Sequence, residues 1–270
     1  MRHLLVSWFV AFSWLDACAE SHGSARRVGS VAPMTAEGDD EWSTGNEIGQ
    51  EGDETALTAS PNIFGDGSPS ALVSEVEREL AHMRASSYAH RTSVDEATGT
   101  FDFDCSGFVG YALGGAAPTA IKELKAATAG LAGRPLAKHF EGFFESLPPA
   151  GARAHWQRVA QLSEVQPGDV VAWIRPVDVS SKNTGHVVIV RGKPTPYADP
   201  PGSFLVPIAD STASPHGRGD SRQSAKATGL GTGTLILVGD ASGAPVAYRW
   251  SAGRRSRQHE CRISMARLSP

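Results

Sequence analysis

Cysteine is scarce in this chain, with three in 270 residues. So small and odd a count builds no disulfide framework. Cys18, Cys105 and Cys261 therefore each need their own explanation. Strong charge of either sign is also missing. The formal net charge is −4, and Lys and Arg are scattered apart from Arg254-Arg255-Ser256-Arg257, which excludes the basic surface of a nucleic-acid binder. His82, His90, His139 and His155 stand at no metal-ligand spacing with a cysteine pair, so no metal or cofactor is expected. Long apolar runs are absent too. Leu4 to Leu15 is an apolar stretch, but it falls short of the roughly 20 residues that cross a bilayer. What is present is a 40% apolar share, enough for the core of one sizeable domain. A monomer is expected.

The first 19 residues read as an export signal, with Arg2 ahead of the apolar stretch. Leu15-Asp16-Ala17-Cys18 is similar to a bacterial lipobox, in which Cys18 would carry lipid and tie the protein to the cell envelope. Asp16 departs from that pattern. Ala17-Cys18-Ala19 also reads as an ordinary cleavage site, which would release a soluble protein. A membrane contact is expected only through such an anchor. Residues 20 to 69 are rich in small residues, and Glu37 to Glu54 is acidic without Lys or Arg. Such a stretch buries too little apolar surface to offset its ordering entropy and reads as a tether.

The remainder, 70 to 270, reads as one α+β domain. Ser68-Pro69 is a helix start, followed by Leu72, Val73, Val76, Leu80 and Met83 at helical spacing. A second helix is predicted from Cys105 to Leu113, stopped by Gly114-Gly115. A broken helical stretch fills about 116 to 160, either as a cap beside the site or as a layer over the sheet. Strands follow at Val170–Ile174, Val187–Val190, Phe204–Ile208, Leu235–Val238 and Val246–Trp250. Gly239 to Ala244 joins the last two as a hairpin loop. Cys261, in an alternating apolar run, reads as a half-buried strand residue. Arg218-Gly219-Asp220 spells an adhesion tripeptide, taken as coincidence.

The segment Phe103-Asp104-Cys105-Ser106-Gly107-Phe108 carries the chemistry. It places a thiol on the first turn of a buried helix, where unpaired N–H groups and the helix dipole favour the thiolate. A lone cysteine is more often a small core residue. Two further segments shift the balance. Gln166-Pro167-Gly168-Asp169 is a turn feeding an apolar strand, and Gly185-His186-Val187 opens a second strand with a histidine. A helix-start cysteine followed far downstream by a strand histidine is the layout of a thiol hydrolase.

Together these pieces resemble the NlpC/P60 family of papain-like cysteine peptidases, over roughly Leu72 to Trp250. The resemblance implies a papain-like fold, with Cys105 as nucleophile and His186 as base. A polar residue on the next strand should orient His186, and either Asp210 or His216 is placed to do so. Asp210 is preferred, with His216 then lining the groove. Tyr88 resembles the family's tyrosine near the oxyanion site, although the Trp-Gly-Gly that usually follows it is absent. Tyr88 as a packed residue is the alternative. Asp104 and Ser106 would help bind a substrate amine, with Asp104 as a helix N-cap the alternative. The implied substrate is the peptide stem of cell-wall peptidoglycan, cleaved through an acyl-enzyme. A decayed wall-binding module, or a thiol acyltransferase or amidase of the same fold, are the other readings.

Overall fold

The computed structural model describes residues 68–128, 133–223, 225 and 227–270. Cys18, the export signal and nearly all of the tether lie outside them. Among the described residues no helix is long and apolar enough to cross a membrane.

Helix α1 runs Pro69–His82. The Ser68 hydroxyl accepts the Ala71 N–H at 3.1 Å, and Pro69 supplies a preset helical φ. Leu72 and Val76 are buried as the spacing predicts, while Val73 and Leu80 are only half-buried and Glu79 is buried in their place. A short hairpin follows, β1 (Ser93–Asp95) with β2 (Thr100–Asp102). Helix α2, Cys105–Ala116, is capped by the Asp104 carboxylate, which accepts the Gly107 N–H at 2.8 Å. The glycine pair does not stop it. A Cβ on Gly115 would sit 2.5 Å from Glu75 Oε1, so the glycine is there to let α1 approach. The helix ends at Ala117 because Pro118 disfavours helical geometry in the residue before it.

Helices α3 (Pro118–Ala127) and α4 (Ala137–Glu145) follow. The chain then forms β3 (Ala152–Arg153), β4 (Trp156–Val159), β5 (Val170–Ile174), β6 (Gly185–Val190) and β7 (Thr195–Tyr197). It continues as β8 (Ser203–Thr212), β9 (Gly229–Gly239), β10 (Pro245–Arg249), β11 (Gln258–Glu260) and β12 (Ile263–Leu268). The large sheet is antiparallel in the order β11-β10-β9-β8-β6-β5-β12-β4-β3, with β7 added on β8. The β9–β10 hairpin and every strand read from the sequence are present, with β8 and β9 several residues longer than expected. Cys261 falls between β11 and β12 rather than inside a strand.

Both faces of the central strands are covered, which is why they read as unbroken apolar runs. Val170 and Ala172 of β5, and Val187 and Ile189 of β6, pack with the helices. Val171, Trp173, Val188 and Val190 face the other way, into a second core with Leu235, Tyr248 and Met265. That second core forms because the sheet curls, bringing β10 beside β12. The segment predicted as a cap or a layer is a layer: α4 lies on β5, β6 and β12. Its link from α3 nevertheless reaches the site described next.

Candidate active site

Two of the three sequence motifs, those of Cys105 and His186, meet at one end of the large sheet, and the third is architectural, at the far end of β5 and β6. In Pro167-Gly168-Asp169-Val170, Gly168 has φ +91°, and a Cβ there would lie 2.3 Å from the Pro69 carbonyl oxygen. Asp169 is fully buried and pairs with Arg267 at 2.7 Å. This turn sets the entry of β5, beside which β6 and its histidine are registered, Trp173 opposite His186.

Cys105 stands at the first turn of α2, 5% exposed. The helix start leaves its backbone N–H without an intrahelical acceptor. His186 opens β6, near enough to Cys105 for the two side chains to interact electrostatically. Its Nε2 donates to Asp210 Oδ2 at 2.6 Å, which leaves Nδ1 to face the thiol. The ring is held between Trp173 and Trp250, with centroids at 5.2 and 5.1 Å. Burial, the largest influence, works against its charge. Negative charge at Cys105 and the hydrogen bond donated to Asp210 outweigh it and push the His186 pKa up to about 10. At neutral pH the imidazole therefore holds both protons.

Asp210, on β8, is fully buried. Burial alone would raise its pKa, but His216, His186 and Arg222 hold the carboxyl well below the usual range. Behind it lies a group of charges that sequence reading missed. Oδ2 also accepts His216 Nε2 at 3.0 Å, and Oδ1 accepts Arg222 Nη2 at 2.9 Å. His216 Nδ1 faces the Trp250 carbonyl at 2.8 Å. A carbonyl and a carboxylate only accept, so each His216 ring nitrogen is turned to an acceptor. The ring stacks on Trp250 at 4.0 Å. Arg222 places all five of its N–H groups: on Asp210 Oδ1, on both Asp220 oxygens, and on the carbonyls of Asp210 and Gly229. Asp220 in turn accepts the His216 backbone N–H at 2.7 Å. Arg222 thus bridges the two buried carboxylates, Asp210 and Asp220.

Of the two candidates for the third position, Asp210 therefore contacts His186. His216 stands behind Asp210, with its side chain fully buried, and does not line the groove as expected. One ligand atom from each of His186, Asp210 and His216 lies within 4.8 Å of the others, a grouping that could take a metal. The 2.6 and 3.0 Å separations are those of hydrogen bonds, and the Arg222 guanidinium already supplies the positive charge a metal would bring.

Asp104 and Ser106 are buried beside the thiol. The Asp104 carboxyl is held below its usual range: burial opposes its charge, and hydrogen bonds from Arg134 and Gly107 overcome that. Arg134, from the α3–α4 link, donates to Asp104 Oδ2 at 2.5 Å and to Ser106 Oγ at 2.6 Å. The chain's own guanidinium thus occupies the place expected for a substrate amine. Asp104 is at the same time the helix cap, so both readings of it hold in part. Tyr88 accepts a hydrogen bond from Asn183 at 3.3 Å, and burial together with Cys105 and Asp104 raises its pKa.

A cavity of about 160 Å³ lies on the Cys105 side, and one of about 370 Å³ on the His186 side. Their walls share Tyr88, Asn183 and Gly185. Cys105 and Cys261 are both free. Burial, with Glu141 and Asp178 adding to it, pushes the Cys261 thiol up to about 12, which leaves it unreactive.

No family model matches the chain, and no solved structure matches it. The chain is similar to an uncharacterised protein of Acanthamoeba polyphaga mimivirus, 32% identical over 114 residues, a match that spans 37% of this chain and 50% of that protein.

Proposed function

We propose that the protein is a thiol amidohydrolase of papain-like architecture that works through an acyl-enzyme at Cys105. The single observation that carries this reading is the Cys105–His186–Asp210 relay, in which Nε2 is fixed on a buried carboxylate at 2.6 Å and the other ring nitrogen is left to the thiol. In this mechanism the thiolate attacks the substrate carbonyl carbon. The backbone N–H at the head of α2 receives the developing oxyanion. His186, a cation, gives its proton to the departing amine as the carbon–nitrogen bond breaks. Neutral His186 then takes a proton from water, which attacks the thioester and regenerates the thiolate.

The resemblance to NlpC/P60 enzymes supplies the proposed substrate class, peptide stems of peptidoglycan. It also supplies the proposed setting, a cell envelope reached through lipid on Cys18. The intact pairing of His186 with the buried Asp210 weighs against a decayed wall-binding module. Digestion of wall peptides followed by mass spectrometry tests the reading. Wild type should release amide-cleaved fragments and Cys105→Ala should release none. Equal turnover by that variant would end the proposal. Acyl transfer to an added amine, with no hydrolysis, would favour the acyltransferase of the same fold instead.

A further inference from the structure

The larger cavity has a lining the reaction above does not use. Trp173, Tyr248, Trp250, Pro176 and Val179 all line it. The rings pack on one another, Trp173 against Tyr248 with centroids at 4.8 Å. The Trp250 indole N–H donates to the carbonyls of Ser214 and Pro215 at 3.3 and 3.2 Å. Trp250 therefore offers its face and edges, not a hydrogen bond. At its rim Asp178 holds Arg257 and His259, and Arg175 is turned onto the Val179 carbonyl at 2.8 Å. Among the described residues, no buried polar atom lacking a partner belongs to this wall.

His186 lines this cavity, and Cys105 lines the smaller one. A base that protonates the leaving group must stand beside it at the moment of bond breaking. The cavity on the His186 side therefore receives the departing portion of the substrate. Its volume, about 370 Å³, sits near the lower bound for small-molecule pockets, too small for a lipid tail and large enough for a side chain.

We infer that this cavity is a leaving-group subsite selecting an apolar side chain, aromatic or branched, on the amine released by cleavage. The inference rests on the thiol chemistry proposed above and not on the wall-peptide assignment, since stem peptides carry no such side chain; it directs the site to amides whose amine half is hydrophobic next to the broken bond.

The test is the rate at which Cys105 of the full chain is alkylated by three iodoacetamides, N-methyl, N-benzyl and N-carboxymethyl, each normalised to its rate with glutathione. The benzyl reagent should label about tenfold faster than the methyl reagent or better, as an added apolar group in a fitting pocket provides, and the carboxymethyl reagent slower. Val179→Trp, which fills the cavity with a side chain, should bring the benzyl-to-methyl ratio to about one. Labelling of Cys105 with no benzyl preference, or a preference that survives Val179→Trp, overturns the subsite while leaving the hydrolase reading intact. No labelling by any of the three would sink both.

Discussion

Glu79 offers the sharpest quantitative test of the helical layer. It lies on α1 against α2, fully buried, and neither carboxylate oxygen has a hydrogen-bond partner. Burial is the main cause, and nearby Glu75 adds to it, of a pKa pushed up to about 9. The folded protein thus keeps a proton on Glu79 at neutral pH, whereas the unfolded chain releases it near the ordinary value of about 4.5. A raised folded pKa means that the folded state binds more protons than the unfolded state between those limits. Its stabilising contribution is complete below about 4.5 and is lost as pH rises toward about 9. The slope is about 1.4 kcal/mol per pH unit, so at pH 7.5 the loss reaches on the order of 4 kcal/mol. Glu79→Leu removes the titration, and Glu79→Gln removes it while keeping a polar group. Urea unfolding of all three proteins at pH 5, 6.5 and 8 measures it. The stability gap between each variant and wild type should widen steadily with pH, in favour of the variant. Taking differences cancels every other titrating group. A gap that stays constant across the range would refute the reasoning, because it would mean that Glu79 never gains a proton on folding.

Three further outcomes follow from the site. Asp210→Asn removes the charge that fixes His186, His216 and Arg222, so turnover should fall by about 10³- to 10⁴-fold and the fold should lose about 3–5 kcal/mol, read by steady-state kinetics and by denaturation. The pH–rate profile should hold through neutrality and fall on its alkaline side near 10, as the His186 imidazolium loses the proton it gives the leaving group. In Asp210→Asn that limb should move to lower pH, and a limb that does not move would separate His186 from Asp210. Gly185 has φ +148° and its Cβ would lie 1.9 Å from the Trp173 carbonyl oxygen, so Gly185→Ala should displace His186, destabilising the protein by about 2 kcal/mol and slowing Cys105 alkylation; wild-type values in both assays would count against this.

The α+β arrangement, Cys105 and His186 were legible because each carries a local signal, whereas Asp210 was reached only through the resemblance, with His216 as its rival. Ser68-Pro69 announces a helix, Asp104-Cys105 a capped helix start, and Gly185-His186 a strand opening. Gly114-Gly115 misled because glycine marks both helix ends and close helix contacts, and only the position of Glu75 decides between them. Glu79 was invisible, since its helical face reads as apolar only if a carboxyl accepts a proton. The charges behind Asp210 were hidden by distance. Arg222 and Asp220 lie in a loop with no periodicity, and Asp220 looked like part of a chance adhesion tripeptide. Arg134 meets Asp104 thirty residues away in sequence, and nothing local indicates that its guanidinium would fill a place expected for a ligand.

The pairing of β6 with β8 sets Ile189 against Ala209, one residue from Asp210. Side chains alternate along a strand, so sliding that pairing by a single step would swing the carboxylate to the helical side and leave the imidazole without a brace. Related chains can therefore gain or lose residues freely across the Gly192–Gly202 hairpin. Between Ile208 and Asp210 a lone insertion or deletion would break the His186–Asp210 contact while leaving the fold standing.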